Sequence, residues 1–251
     1  METNIIRYTF CPGWKLTLFY LLLLPLLVGL GFWQLYRADY KQELQTLYDQ
    51  RSAALPVLLS QLKKDNDVAY RRVRLQGRFD DQYHFLLDNR TFNGRPGYEV
   101  ISAFWLEPAL VVPNVGLVEL IWVNRGWLPM GAQRSELPEI PSFFAAALSL
   151  SGQLVLPTKA FVLADIPLSG LWPEVIQAID LPQMKSRLRG ELAPAVAPYL
   201  LRLDAAEVGS FEVRWQPVNT APQKSLGYAV QWFLMAFVLT GLYFWAGIRK
   251  K

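Results

Sequence analysis

Two long apolar runs lie near opposite ends of this chain, and all charged residues lie outside them. The first run extends from Leu16 to Leu35, and the second extends from Tyr228 to Ile248. An α-helix needs about 20 apolar residues to cross the roughly 30 Å of hydrocarbon in a bilayer. The pattern therefore predicts two transmembrane helices, at 16–36 and 228–248, which flank one large domain at 37–227.

Helical spacing continues beyond the first run, from Gln34 to Arg51. The apolar positions of this segment recur every three or four residues and form one stripe: Leu35, Tyr36, Tyr40, Leu44 and Leu47. We therefore predict a helical stalk at 37–51. Pro56 and the charged run Lys63 to Asp67 close this part of the chain.

The central region shows the two-residue alternation of β-strands, most strictly from Arg72 to Phe79. Val73, Leu75 and Phe79 share one face there. Further strands are predicted at Tyr83–Asp88, Tyr98–Leu106, Leu117–Trp127, Leu148–Leu156, Tyr199–Leu203 and Phe211–Trp215, with a short helix near Pro173–Ile179. Sequential short strands separated by turn residues indicate an antiparallel sheet or a partly open barrel. The predicted fold class is membrane α+β, with two transmembrane helices flanking a β-rich extracytoplasmic domain.

The net charge of +4 lies entirely in the tails, 1–15 and 249–251, because basic and acidic residues balance within 37–227. A nucleic-acid-binding domain concentrates its basic residues on its own surface, so the charge distribution argues against a nucleic-acid partner. The positive-inside rule assigns both tails to the cytoplasm, mainly through Arg249, Lys250 and Lys251. We therefore predict a protein of the bacterial inner membrane, with the lipid bilayer as a partner and the domain in the periplasm.

Few residues of the chain suit catalysis or metal binding. Cys11 is the single cysteine and His84 the single histidine, so the chain has no Cys/His metal motif. His84 is interpreted as a structural residue. The arginines Arg72, Arg74 and Arg78 form either a solvated strand face or a surface for lipid headgroups or an acidic partner. No arrangement of carboxylates or nucleophiles indicates an enzyme.

Aromatic and amide side chains mark the ends of the predicted spans. Four tryptophans form the aromatic belt expected at headgroup level: Trp14, Trp33, Trp232 and Trp245. Gln34 and Gln231 lie close to the outer ends of their spans and share a depth. We hypothesise that the spans pack on each other or on a partner through Trp33, Gln34, Gln231 and Trp232, aided by the small residues Ala236 and Thr240.

Taken in order, several segments resemble the surfeit locus protein 1 family of cytochrome c oxidase assembly factors. The first is Gly31-Phe32-Trp33-Gln34-Leu35, followed by Arg37 and Lys41. The others are Gly94-Arg95-Pro96-Gly97-Tyr98-Glu99-Val100, Trp122-Val123-Asn124-Arg125-Gly126-Trp127 and Gly227-Tyr228-Ala229-Val230-Gln231-Trp232-Phe233. Each segment alone is weak, but their order between two spans is specific, and the resemblance covers nearly the whole chain.

The resemblance implies a non-enzymatic role in helping haem a reach the catalytic subunit of a haem–copper oxidase. Haem a is then a possible and transient ligand. Some members resemble haem carriers, with a histidine just before the second span as the expected iron ligand. That position here is Ser225, and serine is not an ordinary haem ligand. Tyr228 and Met235 are the nearby residues whose side chains can ligate iron.

The motif residues also have a structural interpretation. Gly94 and Gly97 suit turn positions that need positive φ, and Asn124 and Arg125 suit hydrogen bonds to backbone carbonyls at a strand end. Arg37, Tyr98, Gly126, Trp127, Gly227 and Tyr228 complete the motif set. Two alternative functions remain: a haem a carrier in its own right, and a membrane-anchored ligand-binding or structural domain unrelated to oxidase assembly.

Overall fold

A computed structural model describes residues 8–62, 68–131, 133, 136–142, 147–157, 171–188, 194–217 and 221–250. In chain order its elements are β1 (Tyr8–Phe10), α1 (Trp14–Ala53), β2 (Val57–Leu58), a 3-10 turn (Leu59–Gln61), β3 (Arg72–Phe92), β4 (Arg95–Val112), β5 (Gly116–Pro129), β6 (Leu148–Val155), β7 (Glu174–Ile176), α2 (Leu181–Ser186), β8 (Val196–Leu203), α3 (Pro222–Gly247) and β9 (Ile248–Lys250). The chain divides into a hairpin unit, up to residue 47 and from 216 onward, and a β-rich unit, Tyr48–Trp215.

Among the described residues, two helices are long and apolar enough to cross a membrane, α1 and α3. The helix predicted to continue from Gln34 to Arg51 is part of α1, which contains Pro25 and ends at Ala53. The buried residues of α1 recur with alternating steps of four and three along one face: Leu27, Gly31, Gln34 and Ala38. The buried positions of α3 also fall on one face, at intervals of 3, 4, 7 and 11 residues, and most of them are small: Pro222, Ser225, Ala229, Ala236 and Gly247.

A two-stranded ribbon joins the two ends of the hairpin. β1 pairs with β9 in antiparallel register, with Thr9 opposite Arg249 and Phe10 opposite Ile248. The Cys11 amide adds a hydrogen bond to the Gly247 carbonyl, 2.8 Å away. The segments that precede α1 and follow α3 therefore leave the hairpin side by side.

The β-rich unit is built on five strands whose pairings close a ring in the order β3, β4, β5, β8, β6 and back to β3. The ring closes because β3 is long. Its first part, Arg72–Gly77, pairs with β6, and the part from Gly77 onward pairs with β4. Most pairings are antiparallel, as predicted, but β5 and β8 run parallel. Two short strands, β2 and β7, add parallel pairings to β3.

Two apolar clusters form the main core of this unit. The larger one includes the predicted inward face of β3, Val73, Leu75 and Phe79, together with residues of β4, β5, β6 and β8. The second lies on the opposite face of the sheet, where Trp122 and Phe85 pack against Ile176 of β7 and Met184 of α2. Covering both sheet faces explains why β5 is buried from Leu120 to Trp127 instead of alternating.

Some predicted elements differ from the structure. The two strands predicted at Arg72–Phe79 and Tyr83–Asp88 form one strand, β3, with a bulge between Phe79 and His84. Asp80 holds this bulge through Oδ1, which accepts hydrogen bonds from the Gln82 and Tyr83 amides at 2.8 and 3.3 Å.

Two further predictions were wrong. The helix predicted near Pro173–Ile179 is strand β7, and the nearest helix, α2, begins at Leu181 behind its N-cap Asp180. The strand predicted at Phe211–Trp215 is reduced to an isolated bridge between Glu212 and Trp127. The charged run 63–67 and the tail residues Glu2, Arg7 and Lys251 lie outside the described residues.

Candidate functional site

The motif residues of the β-rich unit converge around one end of the β3–β4 hairpin and the adjoining part of β5. Gly94, Gly97 and Tyr98 lie at the hairpin turn and the start of β4, and residues 124–127 lie on the neighbouring strand β5. The register pairs Gly97 with Pro129, Glu99 with Trp127 and Val100 with Gly126. Segments that are distant in sequence thus form one region, which we call the motif end of the barrel (residues 90–100, 124–129 and 209–212).

Arg125 is the most deeply enclosed charged residue of this region, with no solvent exposure. Its Nε donates a 2.8 Å hydrogen bond to the Gly209 carbonyl. Its guanidinium carbon lies 4.9 Å from the ring centroid of Phe79 and 4.5 Å from that of Phe211, so two aromatic faces stabilise the cation. Arg125 therefore ties the barrel to the segment that leaves it toward α3.

Burial lowers the pKa of Arg125 to about 10, and the nearby Asp81 carboxylate opposes that shift. The group still carries its proton at neutral pH. A buried cation needs hydrogen-bond acceptors and polarisable neighbours, because transferring it from water costs several kcal/mol. The Gly209 carbonyl and the two phenyl rings supply both, which supports the predicted structural role of Arg125.

His84 forms a buried pair with Ser102 beside Arg125. The His84 Nδ1 lies 2.9 Å from the Ser102 Oγ, and the Arg125 Nη1 donates to the same oxygen over 3.4 Å. Burial, followed by the positive charge of Arg125, lowers the pKa of His84 to about 4, against raising effects of the Asp81 backbone, Asp80 and Asp81. The imidazole is therefore neutral at physiological pH, and it is enclosed with Ser102, which has no solvent exposure.

Asn124 acts through a carboxylate as well as through the backbone. Its Nδ2 donates a 2.6 Å hydrogen bond to Glu99 Oε2, and its Oδ1 accepts the Gly126 amide at 3.1 Å. Glu99 also lies 3.6 Å from the Nε of Arg90. The prediction that Asn124 bonds to backbone carbonyls was therefore wrong for this residue, whereas Arg125 does bond to one.

Gly126 and Trp127 hold the departing segment against β5. The Trp127 amide donates to the Glu212 carbonyl at 2.8 Å, and Gly126 lies so close to that carbonyl that a Cβ would come within 2.8 Å of its oxygen. The Trp127 indole stacks on Phe92, with ring centroids 5.4 Å apart, and its Nε1 donates to the Arg90 carbonyl at 3.2 Å. Trp127 thus links the hairpin turn to the exit segment.

The two glycines of the hairpin serve different purposes. Gly94 has φ of +79° and follows Asn93 at +49°, which matches a two-residue turn that favours Asn-Gly. Gly97 does not have a positive φ, so that part of the prediction was wrong. A Cβ there would lie 2.2 Å from the Leu128 carbonyl oxygen and 2.5 Å from the Trp127 ring. Tyr98 beside it is almost fully buried against Leu86 and Val100.

A polar row across three strands was not recognised from the sequence. Asn124 on β5 is paired with Arg202 on β8, and Arg202 is paired with Gln153 on β6. Burial lowers the pKa of Arg202, opposed by Glu99 and two tyrosines. Its guanidinium carbon lies 5.2 Å from the Trp215 ring centroid, and Gln153 Nε2 donates to Ser52 Oγ at 2.8 Å. The final turn of α1 and the exit residue Trp215 cover this row.

In the hairpin unit, Ser225 is bound by a lysine. The Lys41 Nζ donates a 3.0 Å hydrogen bond to the Ser225 Oγ, and only 2% of Ser225 is exposed. The hydroxyl that occupies the expected iron-ligand position is thus an acceptor for an ammonium group. Serine is not a haem ligand, and Tyr228 and Met235 are exposed at 52% and 44%. The residues present at this position do not fit an axial haem ligand.

The two glutamines do not meet. Gln34 is buried, and its Oε1 accepts no hydrogen bond from the described residues, whereas Gln231 lies on the exposed side of α3. Gly227 is exposed too, with nothing within 4 Å of the position of a Cβ. The structure therefore places Gln34 inside the hairpin and Gln231 on its outer surface.

Aromatic side chains make the contact between α1 and α3 instead. Phe233 lies over Gly31, where a Cβ would come within 2.6 Å of the ring. Tyr20 stacks on Tyr243 with centroids 4.2 Å apart, and its hydroxyl lies 3.3 Å from the Thr240 Oγ1. The small residues on the facing stripes leave the room that these rings fill.

The tryptophans expected at headgroup level are exposed or half-buried. Trp33 is exposed, with the Arg37 guanidinium carbon 5.5 Å from its ring centroid, and Trp232 is half-buried on α3. Trp14 and Trp245 are exposed at 72% and 77%. Such pairs of a cation and an indole suit the boundary between hydrocarbon and water.

Comparison with known proteins shows what the chain is similar to. The model of the SURF1 family matches residues 21–237. A SURF1-like protein of Dictyostelium discoideum is 34% identical over 109 residues, which cover 39% of this chain and 37% of that relative. A SURF1-like protein of Monosiga brevicollis is 26% identical over 244 residues, which cover 89% of this chain and 83% of the relative.

Proposed function

Because the chain belongs to the SURF1 family, we propose that it is a membrane-anchored assembly factor for a haem–copper oxidase. It assists the delivery of haem a to the catalytic subunit or the maturation of that subunit. The single observation that carries this proposal is the family match over residues 21–237, which takes in most of both long helices and the whole barrel.

We propose that the chain does this work without catalysing a reaction. Within the part of the chain that the structure describes, the pair of Ser102 and His84 resembles a nucleophile with its base. Ser102 has no exposed surface, and Arg125 donates a hydrogen bond to the same hydroxyl oxygen. The buried hydroxyl is closed to solvent in this structure, which supports a structural role for the pair.

We propose that the chain handles haem a as a cargo and does not hold it as a resident cofactor. Ser225 supplies no ligand for its iron, and its hydroxyl already accepts the Lys41 ammonium. No step in the proposal therefore runs through iron ligation at this position. The alternative of a haem carrier requires an axial ligand elsewhere in the chain.

We also propose that both tails are cytoplasmic and that the β-rich unit lies in the periplasm of a bacterial inner membrane. The pairing of β1 with β9 supports placing both tails on one side. The basic residues of those tails support the cytoplasmic side. Reporter fusions at the C-terminus and within the turn Pro113–Gly116 test this orientation, and a cytoplasmic signal from the turn would refute it.

The decisive experiment is deletion of the gene in its native cell, followed by the difference spectrum of the membranes. We expect the haem a signal of the oxidase to fall while the level of its unassembled catalytic subunit is maintained. Expression of the intact chain restores the signal. An unchanged haem a content in the deletion strain would refute the assembly role.

A second measurement distinguishes an assembly factor that holds no haem from a haem a carrier. The full chain is purified from cells that synthesise haem a, alongside the Ser225→His variant, and the Soret absorbance per protein is measured. We expect no stoichiometric haem in the native chain and a gain of absorbance in the variant. Stoichiometric haem in the native chain would support the carrier alternative.

A further inference from the structure

An apolar cleft of about 220 Å³ lies between α1 and α3, at the end of the hairpin nearest to the two tails. The start of α1 and the last turns of α3 form its lining, which includes Leu16, Phe19, Tyr20, Leu239, Tyr243 and Ala246. On α3 the lining extends over seven residues, from Leu239 to Ala246, which is about 10 Å along the helix axis. The cleft therefore follows the hairpin for about two helical turns.

The cleft is apolar although two tyrosines line it, because both hydroxyl groups are bonded inside the hairpin. The rings of Tyr20 and Tyr243 stack with their centroids 4.2 Å apart. The Tyr20 hydroxyl lies 3.3 Å from the Thr240 Oγ1, and the Tyr243 hydroxyl lies 3.1 Å from the Thr17 Oγ1. A polar ligand in the cleft would lose its bonds to water without gaining new ones, so the lining suits a hydrocarbon chain.

Two basic residues flank the end of the cleft nearest to the tails. Lys15 directly precedes Leu16 of the lining, and Arg249 follows Ala246 of the lining by three residues. Both side chains are exposed. Arg249 belongs to β9, whose pairing with β1 places it opposite Thr9 in an ordered ribbon. An ammonium and a guanidinium group are therefore each attached within three residues of the lining.

This end of the hairpin carries no opposing charge. The sequence has no acidic residue between Glu2 and Asp39, and none after Glu212. Trp245 also lines the cleft, and an indole ring in a span settles at the headgroup level of a bilayer. A hydrocarbon chain in the cleft therefore has its polar head at the level of the cationic side chains, where a negative charge is favoured.

We propose that the cleft binds one acyl chain of an anionic phospholipid, whose phosphate is held by Lys15 and Arg249. The apolar lining accepts the chain, and the two cations favour a headgroup of net negative charge over a zwitterionic one. A lipid enters from the surrounding bilayer, because Phe19 and Trp245 of the lining are exposed. The assignment depends neither on the orientation of the chain in the membrane nor on its role in oxidase assembly.

Lipid binding is measured on the full chain in detergent by native mass spectrometry. Phosphatidylglycerol and phosphatidylcholine with identical acyl chains are titrated in separate experiments. We expect one phosphatidylglycerol to bind per chain, roughly ten-fold more tightly than phosphatidylcholine. Lys15→Gln and Arg249→Gln should each weaken the binding of phosphatidylglycerol by roughly five-fold. Lys224→Gln is the matched control, because it removes an exposed basic residue at the opposite end of α3 and should leave the affinity unchanged.

Ala246→Leu tests the cleft itself, because it adds bulk to the lining while both cations remain. We expect this variant to bind phosphatidylglycerol roughly five- to ten-fold more weakly, since the acyl chain loses buried surface. Gly241→Leu adds the same side chain to an exposed position of α3 with open space around it, and it should have no effect. Glycerol phosphate, which carries the phosphate without acyl chains, should not displace the lipid at equal concentration.

Circular dichroism of each variant checks that the helices are intact. Equal affinity of the native chain for the two lipids would overturn the proposal. Unchanged affinity in Ala246→Leu would overturn it as well, because the basic residues would then attract lipid without the cleft. Displacement of the lipid by glycerol phosphate at equal concentration would assign the two cations to a soluble phosphate and would also overturn the proposal.

Discussion

The Tyr48 hydroxyl donates a 3.1 Å hydrogen bond to the carbonyl oxygen of Trp215. These are the first and last residues of the β-rich unit. The Tyr48 ring also packs edge-on against Tyr70, with centroids 5.4 Å apart, and the Trp215 indole donates at 2.8 Å to the Leu203 carbonyl on β8. The chain therefore enters and leaves this unit at one fastened point.

Replacing Tyr48 with phenylalanine should lower the stability of the β-rich unit. The change removes one hydrogen bond and leaves a half-buried carbonyl unpaired, which costs about 1 kcal/mol. The expected result is a lower midpoint of denaturation for the full chain in detergent. Tyr36→Phe removes the same hydroxyl from an exposed position on α1 and should have no effect. Equal midpoints for Tyr48→Phe and the native chain would show that the bond does not stabilise the unit.

Arg125→Leu should destabilise the β-rich unit by about 3 kcal/mol. The variant loses the bond to the Gly209 carbonyl and the two cation–aromatic contacts, all in a buried setting. Arg125→Lys should recover little, because an ammonium lacks the planar fork of donors. Chemical denaturation followed by tryptophan fluorescence measures the effect. Arg95→Leu is the control, because it removes an exposed arginine of the same motif segments. If Arg95→Leu lost as much stability as Arg125→Leu, the buried contacts of Arg125 would not explain the effect.

Acidification should destabilise the protein through His84. Its pKa is about 4 in the folded protein and 6.5 in the unfolded chain, so protons bind preferentially to the unfolded state. The stability contributed by the neutral imidazole is intact above pH 6.5, is lost as the pH falls toward 4, and changes no further below that. The loss is about 3 kcal/mol.

The matched variant for this test is His84→Asn, which offers Ser102 an acceptor but does not titrate. The free energy of unfolding is measured from pH 7.5 to 4 for both proteins. The difference between them should change by about 3 kcal/mol over the interval from 6.5 to 4. Parallel curves for the two proteins would rule out His84 as the titrating group.

Gly97→Ala and Gly94→Ala should differ in cost. At Gly97 the added methyl meets the Leu128 carbonyl oxygen and the Trp127 ring, and the backbone cannot move away cheaply, so we expect a loss of about 3 kcal/mol. At Gly94 the space is open and only the positive φ opposes the change, at about 1 kcal/mol. Gly94→Asn should recover part of that loss. Thermal unfolding compares the three variants, and a larger cost at Gly94 would contradict this account.

The sequence predicts the parts of this fold that depend on local patterns. The apolar runs identify α1 and α3, because only a bilayer or a core rewards about 20 consecutive apolar residues. The alternation of Val73, Leu75 and Phe79 identifies β3, because side chains alternate between the two faces of a strand. Strand ends were less accurate. Separate strands are predicted at Arg72–Phe79 and Tyr83–Asp88, whereas Asp80 holds a bulge inside one continuous strand.

The parts that depend on distant contacts could not be predicted in the same way. The parallel pairing of β5 with β8 joins residues about 80 positions apart, and no local pattern encodes that partner. The same holds for the bond from Lys41 to Ser225. The sequence predicts that Gln34 and Gln231 share a depth in the membrane, but the rotation of each helix about its axis decides which face an amide occupies. That rotation depends on packing around Gly31 and Phe233.

The pairing of β8 between β5 and β6 sets an order for assembly as the chain is synthesised. The meander of β3, β4 and β5 uses only neighbouring strands and can form early, whereas the free edges of β5 and β6 wait for β8. Until Leu203 has emerged, the edge of β5 stays open to other strands. Any truncation before that residue therefore leaves the edge of β5 unpaired. Shortened forms of this protein are then prone to aggregate or to be degraded.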